Sequence, residues 1–178
     1  LRNPEYAMKV LASVVEAGAD TIVLCDTNGG VLPDQVYQIT RTVSEEFRNV
    51  EIGMHAHDDT GCAVANTLAA VRAGARHVQG TINGLGERCG NANLCVLIPN
   101  LVFKMGFEVL PEENIRRLTE VSHFVFEIGN ITPVTNMPYV GTSAFAHKAG
   151  LHVNALQKND LSYEHISPSL VGNERRFL

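Results

Sequence analysis

The strongest constraint in this sequence is a regular alternation of short apolar runs with amphipathic helix patterns. The runs are Thr21-Ile22-Val23-Leu24-Cys25, Glu51-Ile52-Gly53-Met54-His55-Ala56-His57 and a stretch from His77 to Ile82. They begin roughly 25–30 residues apart, the pace of one βα unit in an eight-stranded barrel. Near-continuous apolar runs suit strands buried on both faces, as in parallel sheets. Residues 4–18 carry Ala7, Val10, Leu11, Val14 and Val15 at helical spacing, with Pro4 suited to a first turn and Gly18 to a stop. A second helix opens at Pro33-Asp34 with the stripe Val36, Ile39, Val43 and Phe47, and a third runs from Gly61 to Ala73 with Val64, Leu68 and Val71 on one face. A fourth is expected to begin near Asn91, which would cap it. Uninterrupted βαβα succession requires a parallel sheet, open or closed.

The rhythm changes after residue 107. Glu112 to Phe126 reads as one more helix, with Ile115, Leu118, Val121 and Val125 in register. From Asn130 onward Pro133, Pro138, Gly141, Gly150 and Pro168 punctuate short segments. Two regions are therefore expected, 1–107 and a linker or subdomain over 108–178. The chain is 45% hydrophobic and 19% charged, which excludes global disorder. No apolar run approaches the roughly 18–20 residues of a membrane span. A net charge of −5 argues against a nucleic-acid surface. Cys25, Cys62, Cys89 and Cys95 share no CxxC spacing and read as reduced thiols, consistent with a cytoplasmic protein. The start lacks the pattern of a signal peptide. Leu1 at one end and Glu174-Arg175-Arg176-Phe177-Leu178 at the other read as cuts through a longer protein.

In parallel α/β sheets, sites form where the strands end, because every following loop opens on the same side. The strands here end in Asp26-Thr27-Asn28, in His55-Ala56-His57-Asp58-Asp59, and in Asn83 with Glu87-Arg88 beyond. On a strand, residues i and i+2 point to one side, so His55 and His57 face a common centre, an arrangement suited to a divalent metal. A third ligand is expected from a neighbouring strand end, with a carboxylate to balance charge. Asp58 and Asp59 either orient the imidazoles or cap the next helix, and for Asp59 capping is the favoured role. Asn83-Gly84-Leu85-Gly86-Glu87-Arg88-Cys89-Gly90-Asn91 is not a phosphate loop, because its glycine spacing misses G-x-G-x-x-G and it lacks GK[ST]. From composition alone, His147 and His152 read as a surface pair on a loop.

Taken together, Cys25-Asp26-Thr27-Asn28-Gly29-Gly30, His55-Ala56-His57-Asp58-Asp59 and Asn83 through Leu94 resemble the acetyl-CoA-condensing synthases, the family of isopropylmalate, homocitrate and citramalate synthases. Ser143 through His152 and Tyr163-Glu164-His165-Ile166 extend the resemblance over essentially the whole chain. Within the family, the Cys25–Gly30 and Arg88–Cys95 stretches resemble the citramalate branch most. Isopropylmalate synthases more often carry Val-Gly after the Asp-Thr pair and Ala at the position of Cys89. Asp58 departs from the family, which commonly has Asn there.

The resemblance implies an α/β fold in which the chain is the C-terminal part of a TIM barrel, about strands 6–8, followed by a helical and irregular linker subdomain. It implies a divalent metal (Mg, Mn or Zn) held by His55, His57 and Asn91 together with an Asp that has no counterpart here. Thr27 matches a residue that holds the 2-oxo acid carboxylate. His152 and Tyr163 match catalytic residues that reach into the partner subunit's site of a homodimer and assist enolisation of acetyl-CoA. The implied reaction is condensation of acetyl-CoA with pyruvate, in isoleucine and branched-chain amino-acid biosynthesis, with no nucleic-acid or membrane partner. An isopropylmalate synthase, a carbon–carbon lyase on the same scaffold, and an inactive assembly fragment are the alternatives.

Overall fold

Proline starts the first two helices, because its missing amide is one of the donors a helix leaves unpaired at its first turn. In α1 (Pro4–Glu16) the Asn3 side chain completes the cap by accepting from the Tyr6 amide at 3.1 Å. α2 (Pro33–Glu46) opens the same way. The structure, a computed structural model, describes residues 3–159 and 162–178. They form two compact units, Leu1–Asn93 and Leu94–Leu178, each treated by itself below.

In the first unit, β1 (Thr21–Asp26), β2 (Glu51–Ala56) and β3 (His77–Gln79) pair in parallel in the order β1-β2-β3. The expected α/β class with a parallel sheet is therefore observed. α2 connects β1 to β2, and α3 (Ala63–Arg72) connects β2 to β3. Alternation along the strands sends Ile22, Ile52, Met54 and Ala56 to one face, where they bury with Val36, Val43, Ala63, Ala70 and Ala75. The alanines of α3 bring that helix close to the sheet. α1 contributes only partly buried Met8, Leu11 and Val15 to this core, while Val10 and Val14 are exposed.

Two boundaries differ from the sequence reading. β3 stops at Gln79 rather than Ile82, because Thr81 turns away to bridge Asn93 and residues 82–84 wind into a tight 3₁₀ turn with Asn83 at φ 61°. Asn91 caps no helix. It forms a bridge opposite His57, its amide donates to the Gly84 carbonyl at 3.0 Å, and α4 (Leu94–Pro99) starts three residues later.

In the second unit, α4 runs into a widened π-type turn over Asn100–Lys104 next to Pro99, which has no amide to donate. The helix expected over Glu112–Phe126 is broken into α5 (Glu112–Ile115) and α6 (Leu118–Ile128). Arg117 leaves helical geometry at φ −95°, ψ 2°, which lets Ile115 and Leu118 both bury. β4 (Ala146–His147) and β5 (Arg176–Phe177) pair in parallel, and α7 (Gly150–Lys158) lies between them in sequence. The loop expected around His152 is thus the start of a helix. Its apolar stripe was illegible because Leu156 is the only residue it buries.

The turn leading to Gly141 is closed by Asn173. The Asn173 Nδ2 group donates to the Tyr139 carbonyl at 2.8 Å and to the Gly141 carbonyl at 3.0 Å. Tyr139 sits at φ 67°, and the backbone of Thr135 and Met137 leaves no room for a Cβ at Gly141. Because Asn173 and Tyr139 are buried, Asn173→Ala is expected to strand these carbonyls and lower stability by about 1–3 kcal/mol. A urea-midpoint shift at constant slope checks this; an unchanged midpoint removes Asn173 from the account.

Candidate functional site

The sheet of the first unit has two unlike faces. Opposite the apolar face, the same alternation presents Thr21, Val23 and Cys25 from β1, Glu51, Gly53 and His55 from β2, and His77 and Gln79 from β3. Parallel register sets Cys25 beside His55 and His55 beside Gln79. His57 follows one residue past the end of β2, and the two imidazole rings lie 5.3 Å apart at 64°. The bridge between His57 and Asn91 carries the Asn91 side chain to the same place, where its Nδ2 lies 3.2 Å from His55 Nε2. Gly86 permits this approach, since a Cβ there would overlap the Asn91 amide oxygen. His57 Nδ1 is buried and has no hydrogen-bond partner among the described residues.

The acidic pair after His57 divides its work differently from the sequence expectation. Asp58 Oδ1 accepts from the Ala63 amide at 2.7 Å and so caps the start of α3. Asp59 instead pairs with Arg88 through two bonds, Nε to Oδ1 at 2.8 Å and Nη2 to Oδ2 at 3.0 Å. The Arg88 hydrogen bonds hold the Asp59 carboxyl below the usual carboxylate range. Arg88 Nη2 also donates to the Thr27 carbonyl at 2.8 Å, so one guanidinium ties together the loops after all three strands. Thr27 itself is exposed at the end of β1.

In the second unit, His152 and Tyr163 stack with ring centroids 3.9 Å apart at 18°. The His147 ring lies 6.2 Å from that of His152. The side chain of Glu164 is 1% exposed and accepts from Arg175 Nε at 2.9 Å and Nη2 at 2.8 Å, with His147 Nε2 at 3.1 Å. Burial pushes the Glu164 carboxyl up, but the hydrogen bonds from Arg175 and His147 outweigh it and hold it below the usual range.

The structure therefore brings His55, His57 and Asn91 together in one unit, and His152 and Tyr163 together in the other. Sequence reasoning missed Gln79, His77 and the bridging role of Arg88. The first two were legible in principle, since i, i+2 spacing on β3 places both on the face that carries His55. Among the described residues, no three His, Cys, Asp or Glu side chains gather as a metal-binding set. Cys25, Cys62 and Cys89 are unbridged thiols, and no described helix is long and apolar enough to cross a membrane.

The HMGL-like family model matches residues 2–125. The chain belongs to the HMGL-like family. A second model, "Homocitrate synthase post-HMGL domain-like", matches residues 139–178, so this HMGL-like chain carries the pairing seen in the isopropylmalate and homocitrate synthases. An (R)-citramalate synthase of Aquifex aeolicus is 59% identical over 98% of the HMGL-like chain and 33% of its own length. One from Streptomyces coelicolor is 56% identical over 99% of the chain and 33% of its own length. The HMGL-like chain thus spans about a third of the length of these relatives. Among solved structures, the HMG-CoA lyase of Bacillus subtilis superposes with a TM-score of 0.64 at 24% identity, over 76% of this chain and 47% of that one, a likeness of fold.

Glu164 generates a pH expectation. Its folded pKa is depressed, so its contribution to stability is full above the ordinary value of about 4.3 and is lost as pH falls through the folded value. Glu164→Gln should be less stable than the parent at pH 7, and the gap should narrow as the solution is acidified below about pH 4. Thermal melts across that range check it; a gap that does not change with pH refutes the assignment.

Proposed function

We propose that this chain is the rear portion of a divalent-metal-dependent acyltransferase that condenses acetyl-CoA with pyruvate to give (R)-citramalate and free CoA. The convergence of His55, His57 and Asn91 at one strand-end site carries the reading. Identity to citramalate synthases of more than half along nearly the whole chain supports the choice of pyruvate. On this reading residues 1–107 contribute about strands 6–8 of a (β/α)8 barrel, and 108–178 form the linker subdomain. The free edge of β1 and the exposure of Val10 and Val14 at 42% and 43% support it, since earlier βα units of a barrel would cover both.

The residues suit a divalent cation. Gln79 Oε1 sits 3.0 Å from His55 Nδ1, so the lone pair lies on Nε2, where Asn91 Nδ2 now faces it at 3.2 Å and a cation would take its place. A buried imidazole nitrogen without a partner, as at His57 Nδ1, costs roughly 1–3 kcal/mol and gains from a ligand. His55, His57 and Asn91 would hold the ion, together with a carboxylate from elsewhere in the enzyme. Bound there, Mg, Mn or Zn supplies Lewis acidity at the oxo-acid carbonyl.

This chain's own residues then position and move the rest. The Thr27 hydroxyl binds the 2-oxo acid carboxylate, and the Arg88–Asp59 pair holds the loop that carries Thr27. His152 takes a proton from the acetyl methyl group, a transfer suited to an imidazole near neutrality. Tyr163, stacked flat on that imidazole, fixes its plane while leaving the ring edge open. The resulting carbanion forms the new bond to the oxo carbon of pyruvate, and water then cleaves the thioester and releases CoA. His152 and Tyr163 act in the partner subunit's site of a homodimer. A carbon–carbon lyase on the same scaffold is disfavoured by the match of residues 139–178 to the post-HMGL segment of homocitrate synthases.

In the full-length enzyme, release of free CoA from acetyl-CoA is expected to be at least about tenfold faster with pyruvate than with 2-oxoisovalerate, a difference of about 1.4 kcal/mol in barrier. Preference for 2-oxoisovalerate would make the enzyme an isopropylmalate synthase, and cleavage of a hydroxyacyl-CoA would make it a lyase. His55→Ala should lower kcat/KM by about a thousandfold or more, about 4 kcal/mol; unchanged turnover refutes the ligand assignment. The 178-residue chain alone should show no turnover, and measurable CoA release from it overturns its reading as an incomplete site.

A further inference from the structure

Polar side chains form a continuous row across the open face of the three-stranded sheet. Thr21 Oγ1 donates to Glu51 Oε1 at 3.1 Å, and His77 Nδ1 stands 4.0 Å from that same oxygen. His77 Nε2 and Gln79 Nε2 are 3.1 Å apart, and Gln79 Oε1 lies 3.0 Å from His55 Nδ1. The row ends at His55 Nε2, 3.2 Å from the Asn91 amide. Register and alternation build it, since Gly53 lies opposite His77 and His55 opposite Gln79. Gly53 is part of the device, because a Cβ there would meet the His77 ring at 2.9 Å.

The row has a direction set by the Gln79 amide, which lies between the two imidazoles. An amide NH₂ only donates, so the His77 Nε2 that lies 3.1 Å from Gln79 Nε2 is the acceptor. That orientation turns the Gln79 oxygen toward His55, where it takes a hydrogen bond from Nδ1–H. The proton of a neutral imidazole is then committed, and His55 Nε2 is left with a lone pair directed at Asn91.

We infer that Gln79 is a positioning residue for the metal site, fixing His55 in the Nδ1–H tautomer so that Nε2 is the coordinating atom. Gln79 touches neither substrate nor metal and acts through His55. The inference rests on the metal reading proposed above, but the tautomer is a property of the metal-free protein and is measurable without it. A side chain that merely filled the sheet face would be replaceable by any other of equal length. Here the oxygen acceptor is what matters.

The test uses the full-length enzyme, stripped of metal and labelled with ¹⁵N-histidine. In solid-state ¹⁵N spectra the His55 signals, identified by their loss in His55→Ala, should report protonation at Nδ1. That preference should disappear in Gln79→Met, which keeps the chain length and lacks the acceptor, and return in Gln79→Glu. Titration with Mn²⁺, following the free ion by electron paramagnetic resonance, should show affinity roughly 10–100-fold weaker in Gln79→Met and recovered in Gln79→Glu. Gln79→Leu replaces the methionine variant if its circular dichroism departs from the parent's.

Protonation of His55 at Nε2 in the parent overturns the inference regardless of metal. So does parental Mn²⁺ affinity in Gln79→Met, or a Gln79→Glu variant as weak as Gln79→Met. If His55→Ala keeps parental Mn²⁺ affinity, the metal reading itself falls and the role of Gln79 with it.

Discussion

Parallel pairing of β1, β2 and β3 is the constraint from which the rest of the first unit follows. Parallel strands need a long crossover, so α2 and α3 must return the chain over one face of the sheet. All three strands then end on the same side, and the loops that follow them meet there. Asp26-Thr27-Asn28, His57-Asp58-Asp59 and the Asn83–Asn91 loop are far apart in sequence and become neighbours for this reason alone. Arg88 makes the convergence rigid by binding Asp59 and the Thr27 carbonyl at once.

The same pairing makes the sheet two-sided. One face carries Ile22, Ile52, Met54 and Ala56 into the core, and burial of that apolar surface anchors the register. A slip of one residue would send the apolar set outward and the histidines inward. The opposite face is thereby free to hold polar side chains in strict lateral order. Gly53 has a specific use there: it leaves space for the His77 ring, which joins Glu51 to Gln79. The second unit achieves similar rigidity by other means. Glu164, buried and held by Arg175 and His147, stands next in sequence to Tyr163, which stacks on His152.

Much of this was legible from spacing. The alternation of apolar runs with helix patterns placed β1 and β2 almost to the residue, because a 3.6-residue helix period and a short apolar strand run leave different marks. His55 and His57 were legible as a pair because a strand repeats every two residues. The end of β3 and the place of Asn91 were not, since each depends on a backbone partner distant in sequence, and the break between Ile115 and Leu118 was not, since it lets both side chains bury. Asn91 bridges His57, Thr81 bridges Asn93, and no local propensity encodes either. Asp58 rather than Asp59 meets the first amide of α3, because Arg88 engages both oxygens of Asp59.

By itself the sequence determined the α/β class, the parallel sheet, the histidine pair and, through its motifs, the family. These are properties of period, residue type and order along the chain. Only the tertiary structure decided that Asn91 stands at His55, that Arg88 ties three loops, and that Gln79 faces the imidazole nitrogen turned away from Asn91. Those relations run between strands, where a few ångströms of register choose which atoms meet. Side-chain chemistry sets what two groups do on meeting, whereas the pairing of strands sets which groups meet at all.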